Sequence, residues 1–213
     1  MSRTAALLVA LLAVQCGLAT QAAACKGDKV LFEDDFSLHD HSWGAPEPRF
    51  LELYGGKATA RPKPDSSYWQ WNSGFAFLDA DICLTVTLIE TTDPAKSDAG
   101  LMFWIMDNDN FFVFRIASNG KYQVIRQVGG QWAQPVIPWT DSDAIKKGPN
   151  QPNTLRLTLK GGSIAVAIND KDLGRFQAQP PPKRAGFIGL YATSGPDKPS
   201  IWRLTNLKVT NVK

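Results

Sequence analysis

The sequence predicts an all-β chain folded as a two-sheet antiparallel sandwich, and three observations predict it. Apolar and polar residues alternate with period two, as in Leu155, Leu157 and Leu159 between Arg156, Thr158 and Lys160, the pattern of a strand with one buried face. Turn signals punctuate the chain at short intervals: Gly55-Gly56, Asn119-Gly120, Gly129-Gly130, Gly161-Gly162 and Asn169-Asp170-Lys171-Asp172. After residue 24 no stretch carries a convincing helical period. About a dozen short strands with regular turns build a sandwich or a barrel, and the alternating Leu and Ile sets supply the two inner faces a sandwich needs.

The elements follow in order. Residues 1–24 read as a cleavable signal peptide: Arg3 is the positive start, 5–13 is an apolar run, and Ala22-Ala23-Ala24 is a small-residue cleavage site. The run is short for a membrane span, which takes roughly 20 residues. Residues 25–213 then form a single β-sandwich domain. Strands are expected at 30–36, at 51–53 and 57–60 around Gly55-Gly56, and once or twice within 75–90, where Ile82, Leu84, Val86 and Leu88 share a face. The middle is a β-meander, with strands at 101–106, 111–116, 122–128 and 131–136. Residues 138–152 read as a long polar loop. Strands at 155–160 and 164–168 follow, then the stiff Pro180-Pro181-Pro182 connector and strands at 187–193 and 201–212.

The formal net charge is +3, falling to +2 once Arg3 leaves with the signal. That balance argues against a nucleic-acid or polybasic membrane surface. Of three cysteines, Cys16 lies in the signal; Cys25 and Cys83 remain as an even pair for an oxidising compartment, periplasmic or secreted. A Cys25–Cys83 disulfide is expected, against two free thiols or lipidation of Cys25, for which Ala22 stands where Leu is usual.

Turn lengths set the facing of the meander. Asp107-Asn108-Asp109-Asn110 as a four-residue loop sets Trp104 opposite Val113 and Met102 opposite Arg115. Asn119-Gly120 as a two-residue turn sets Ala117 opposite Tyr122, Arg115 opposite Val124 and Val113 opposite Arg126. Leu101, Phe103, Ile105, Phe112, Phe114 and Ile116 then face the core, and Met102, Trp104, Arg115, Tyr122 and Arg126 face outward. An indole beside two guanidinium groups suits a sugar, whose ring face stacks and whose hydroxyls pair. The same set also serves as plain sheet decoration through cation–π contact. The expected ligand-binding residues are Trp104, Arg115, Tyr122 and Arg126.

The chain resembles the concanavalin A-like, laminin-G-like jelly roll, and more specifically the bacterial 3-keto-disaccharide hydrolase-type domain. The matching residues are Phe32-Glu33-Asp34-Asp35-Phe36, Ala99-Gly100-Leu101-Met102-Phe103, Asn110-Phe111-Phe112-Val113-Phe114-Arg115 and Gly129-Gly130-Gln131-Trp132. Asn153-Thr154-Leu155-Arg156-Leu157, Ala185-Gly186-Phe187-Ile188-Gly189-Leu190 and Leu207-Lys208-Val209 complete the match. The resemblance implies two curved sheets with first and last strands adjacent, and a carbohydrate partner. It departs from the endo-glucanases of this fold, which carry E-x-D-x-x-E on one strand: residues 111–116 hold no carboxylate.

Other motifs are thin. His39 and His41, the only histidines, flank Asp40 and read as a solvated turn more readily than a metal edge. Asp107-Asn108-Asp109-Asn110 reads as a turn rather than a calcium loop. Neither G-x-S-x-G nor a phosphate-binding Gly loop is present. Tyr68, Trp69, Trp71 and Trp139 either line a groove rim or plug the sandwich ends. The expectation is an exported, non-catalytic carbohydrate-binding module without catalytic residues, metal or cofactor. The alternatives are a glycoside-cleaving enzyme of the 3-keto-disaccharide type, with a base such as His41 or a loop Asp, and an envelope structural or partner-binding domain.

Overall fold

Alternating sequence becomes two antiparallel layers. The computed structural model describes residues 25–178 and 180–213, so the signal peptide expected at 1–24 lies outside the described residues. The strands in chain order are β1 Val30–Asp34, β2 Leu51–Leu53, β3 Ala58–Ala60, β4 Ser67–Phe77, β5 Ala80–Glu90, β6 Asp98–Asp107, β7 Asn110–Ala117 and β8 Lys121–Val128. They continue as β9 Gln131–Trp132, β10 Ile137–Asp141, β11 Pro152–Lys160, β12 Ser163–Ile168, β13 Lys171–Gln177, β14 Gly186–Thr193 and β15 Ile201–Thr210. A single turn of 3₁₀ helix, His41–Trp43, is capped by the Asp40 carboxylate accepting from the Ser42 amide.

One sheet runs β13-β12-β11-β5-β15-β3-β2, with β1 on β15; the other runs β10-β8-β7-β6-β14-β4, with β9 on β8. The first strand thus pairs with the last, Phe32 opposite Val209. The core lies between the layers. Ile82, Leu84 and Val86 of β5 and Leu155, Leu157 and Leu159 of β11 meet Leu101 and Phe103 of β6, Phe114 and Ile116 of β7, and Leu190 of β14. Each such side chain contributes about 1.5–3 kcal/mol by leaving water, so the periodicity itself selects which face turns inward.

Three strands lie where the sequence suggested loop or turn: most of β4, whose Tyr68, Trp69 and Trp71 read as an aromatic loop, and β10 and β13. Pro138 sits inside β10, where the register slips between Ile137 and Thr140; β10 is an edge strand, the place where a sheet tolerates proline. β13 is an edge strand too, and its largely exposed residues carry little of the apolar alternation that marks a strand.

The meander registers differ from those expected, and the difference decides the facing. Between β6 and β7, Asp107 pairs Asn110 and Phe103 pairs Phe112, with a shift between them. The shift takes up Trp104, whose φ is +48°, as a bulge does. Between β7 and β8, Ala117 pairs Lys121 and Ile116 pairs Tyr122, so Ser118-Asn119-Gly120 is a three-residue turn. Gly120 closes it at φ +100°. The extra residue in the second turn moves the β8 side chains to the opposite face, whereas the β6 irregularity sets residues 104–106 against Phe111 alone and turns Trp104 and Ile105 over locally while Met102 keeps its facing.

Candidate functional site

The expected outward set divides accordingly. Trp104 is 2% exposed and Tyr122 5% exposed, both within the inter-sheet core. The Trp104 indole N–H donates to the Leu78 carbonyl at 2.8 Å, and the ring packs edge-on to Phe112 at 5.5 Å. Tyr122 packs edge-on to Phe114, and burial pushes its phenol pKa up. The outward facing expected for both is corrected: the bulge at Trp104 and the extra turn residue at Ser118 turn them inward. Arg126, opposite Phe112, likewise belongs to the inner face, half-buried at its margin with the guanidinium 6.0 Å from the Phe112 ring centre. Ile105 moves the other way, into an apolar cluster separate from the core. Met102 and Arg115 face outward as expected.

That outer face of the second sheet is the candidate site. Register aligns Gln123 of β8, Arg115 of β7, Gly100 of β6, Tyr191 of β14 and Trp69 of β4 in one row. The next outward row carries Ile125, Val113, Met102, Gly189 and Trp71. The glycines are dictated by close strand approach: a Cβ on Gly100 would stand 2.0 Å from the Phe114 carbonyl oxygen, and one on Gly189 2.7 Å from that of Gln70. Without a side chain at Gly100, the Arg115 guanidinium spans from Asp98 to Tyr191. It donates to Asp98 Oδ1 at 3.1 Å, to the Tyr191 hydroxyl at 3.3 Å, and twice to Gln123 Oε1, at 3.1 and 2.6 Å.

Aromatic rings close over this network. The guanidinium carbon lies 5.0 Å from the Trp139 ring centre, 5.5 Å from Tyr191 and 5.9 Å from Trp132, within cation–π reach. Trp69 stacks on Tyr191, and Trp132 meets Tyr191 and Phe111 edge-on. The pair beneath is deeply covered, Arg115 with 13% and Asp98 with 9% of its side chain exposed, yet Trp132 remains 44% and Trp139 36% exposed. Burial pushes the Asp98 carboxyl up, and the Arg115 charge pulls it partly back. Tyr191 is pushed up to about 12, chiefly by burial and then by the Asp98 charge.

At the β4 edge the aromatic face continues into a cavity of about 300 Å³. Trp69 and Trp71 form its apolar lining, with Ser42, Ser73, Glu47 and Asn108 as polar groups. The 3₁₀ turn is fixed over it: the Gln70 side-chain amide donates to the Trp43 carbonyl, and the Ser73 hydroxyl to that of Ser42 at 3.1 Å. The aromatic segment at 68–71, read as a loop, is therefore part of a strand, with Trp69 and Trp71 on its outer face, and Trp139 belongs to the same face. Asp98, Gln123 and Tyr191 escaped the sequence reading. Their one sequence signal was Gly100 inside an apolar strand, which marks a close backbone approach.

Cys25 and Cys83 are disulfide-bonded, with Cα atoms 5.7 Å apart. No helix among the described residues is long and apolar enough to cross a membrane.

Similarity of structure runs to sugar-related proteins. A carbohydrate-binding module, CBM66 from Bacillus subtilis, superposes with a TM-score of 0.58 at 12% identity, over 72% of this chain and 86% of that one. A non-specific endo-β-1,3(4)-glucanase of family GH16 gives 0.63 at 9% identity, over 89% and 93%. A putative glycosyl hydrolase from Parabacteroides distasonis gives 0.57 at 17% identity, over 85% and 100%. The fold is a concanavalin A-like jelly roll. No family model and no curated protein matches the sequence. Identities this low speak for the jelly roll alone, and what its aromatic face does rests on its own residues.

Proposed function

We propose that this jelly roll is an exported, non-catalytic carbohydrate-binding module whose ligand lies on the outer face of the second sheet. One observation carries the reading: Trp69, Trp71, Trp132, Trp139 and Tyr191 gather on one sheet face over a fixed Arg115–Asp98–Gln123 network. Sugars present an apolar ring face and a belt of hydroxyls, and exposed indoles beside fixed donors and acceptors answer both. Trp132 and Trp139 supply the open platforms; Trp69 and Trp71, with Ser42, Ser73, Glu47 and Asn108, form a more enclosed subsite. Arg115 acts from beneath, holding the rings at a set height rather than meeting solvent. The disulfide suits an oxidising compartment outside the cytoplasm, and the carbohydrate association of the structural relatives points the same way.

Binding takes precedence over cleavage because of what touches Asp98. Glycoside hydrolysis of the usual kind uses two carboxyl groups about 5–9.5 Å apart. Asp98 instead contacts Arg115 and Thr193.

Titrating soluble β-glucans and mucin-type oligosaccharides against intrinsic tryptophan fluorescence tests the proposal. A saturable change with at least one class is expected, weakened about tenfold or more in Trp139→Ala, as for an interface anchor. Absence of binding to every class, or an unchanged affinity in both Trp139→Ala and Trp69→Ala, would overturn it.

A further inference from the structure

A second groove lies at the margin of the inner face, beside Arg126 and away from the Arg115 network. Its volume is about 460 Å³, within the range of small-molecule sites. Trp104, Phe112 and Val128 line one side and Pro180, Pro181 and Pro182 another. Arg126, Lys183 and Arg184 also line it, and none of the three enters an ion pair among the described residues. Arg184 Nε rests on Met106 Sδ at 3.3 Å, and Arg126 lies over the Phe112 ring. Asp107 feels the Arg184 charge only as the least of the influences that lower it, and already accepts from the Asn110 amide group and the Asp109 backbone N–H. Gln127, also in the lining, has its side-chain oxygen buried without a donor.

An apolar slot edged by three cations lacking counter-ions is complementary to one kind of occupant. We infer that this groove binds a small amphipathic anion, with its apolar body between the proline connector and the Val128–Phe112 wall and its anionic group between Arg126 and Arg184. A neutral sugar has no use for three unpaired cations, so this site is separate from the proposed carbohydrate face.

The probe is 8-anilinonaphthalene-1-sulfonate, a planar apolar body with one sulfonate, titrated into the folded protein and followed by its fluorescence. Saturable binding at one site per chain is expected. It should weaken about tenfold or more in R126Q/R184Q, because the charge-assisted contacts to the sulfonate are lost, and stay unchanged in Trp139→Ala. Val128→Glu serves as a second variant: it places a carboxylate at an exposed lining position and should weaken binding comparably. The uncharged N-phenyl-1-naphthylamine should bind equally to wild type and R126Q/R184Q. The inference fails if sulfonate binding is absent, if it survives both R126Q/R184Q and Val128→Glu, or if Trp139→Ala abolishes it.

Discussion

Each sheet buries an arginine–aspartate pair on the face turned away from the core, and the two pairs are covered in opposite ways. On the first sheet Arg156 Nε meets Asp81 Oδ1 at 2.8 Å, and the Thr158 hydroxyl donates to the same oxygen at 2.9 Å. Asp81 Oδ2 accepts the Lys26 backbone N–H at 2.6 Å. The cover there is the segment at Lys26 and Gly27, held by the Cys25–Cys83 disulfide and fitted so closely that a Cβ on Gly27 would stand 2.2 Å from the Asn211 carbonyl oxygen. On the second sheet the pair lies under indoles that are a third or more exposed. Backbone seals the first pair from solvent, whereas only half-exposed rings cover the second, and that difference is what the proposed site rests on.

The sealed pair should carry the larger stability effect. Asp81→Ala strands the Arg156 guanidinium and removes the acceptor for Thr158 and Lys26, and breaking one partner of a buried pair costs about 3–5 kcal/mol. Urea denaturation checks it; a loss below about 1 kcal/mol would place Asp81 among surface pairs. Cys83→Ser comes next. It opens the link across 58 residues of chain and should cost about 2–4 kcal/mol. Its effect on glycan binding should be nil, because the disulfide serves the other sheet. A loss of binding equal to the loss of fold stability would dissolve the separation between the faces.

Trp139→Ala reverses the pattern. It removes one cation–π partner of Arg115, worth about 0.5–2 kcal/mol, while taking away an open platform. Denaturation should move little and glycan affinity a great deal. If instead stability collapses and binding persists, Trp139 is a structural lid and the face behaves like the first sheet.

What the sequence disclosed follows from the same physics. Strand periodicity and glycine or asparagine turns were legible because each acts locally: Leu155, Leu157 and Leu159 face inward whatever their neighbours do. The cysteine pair was legible because only two cysteines follow residue 24. Facing within the meander was not, because it depends on two counts that propensity leaves open. Trp104 adopts a left-handed backbone that a bulky residue seldom takes, and Ser118 joins the Asn119-Gly120 turn. Arg115 lies on β7, which both changes leave in place, so its facing was read correctly, whereas Trp104, Tyr122 and Arg126 turned with the shifts. The partners of Arg115 come from β6, β8, β9, β10 and β14, and no local pattern announces that five strands deliver them to one guanidinium.

The smallest effect gives the sharpest contrast. Burial raises the Asp98 carboxyl above its ordinary value of 3.8, with Arg115 and Thr193 acting against the rise. A carboxyl raised in the folded state binds its proton more tightly there than in the unfolded chain. Its contribution to stability is therefore greatest below the unfolded value and is lost as pH rises through the folded one. Asp98→Asn cannot ionise, so it escapes that loss. The stability of Asp98→Asn relative to wild type should increase between about pH 3 and pH 7 in a urea series. The difference between the two proteins isolates Asp98 from the exposed carboxyls, such as Asp143 and Asp107, that are lowered and act in the opposite sense. A difference that shrinks with pH would mean that Arg115 outweighs burial. The second pair would then be a stabilising clasp like the Asp81–Arg156 pair, and the rings above it would be ordinary cover.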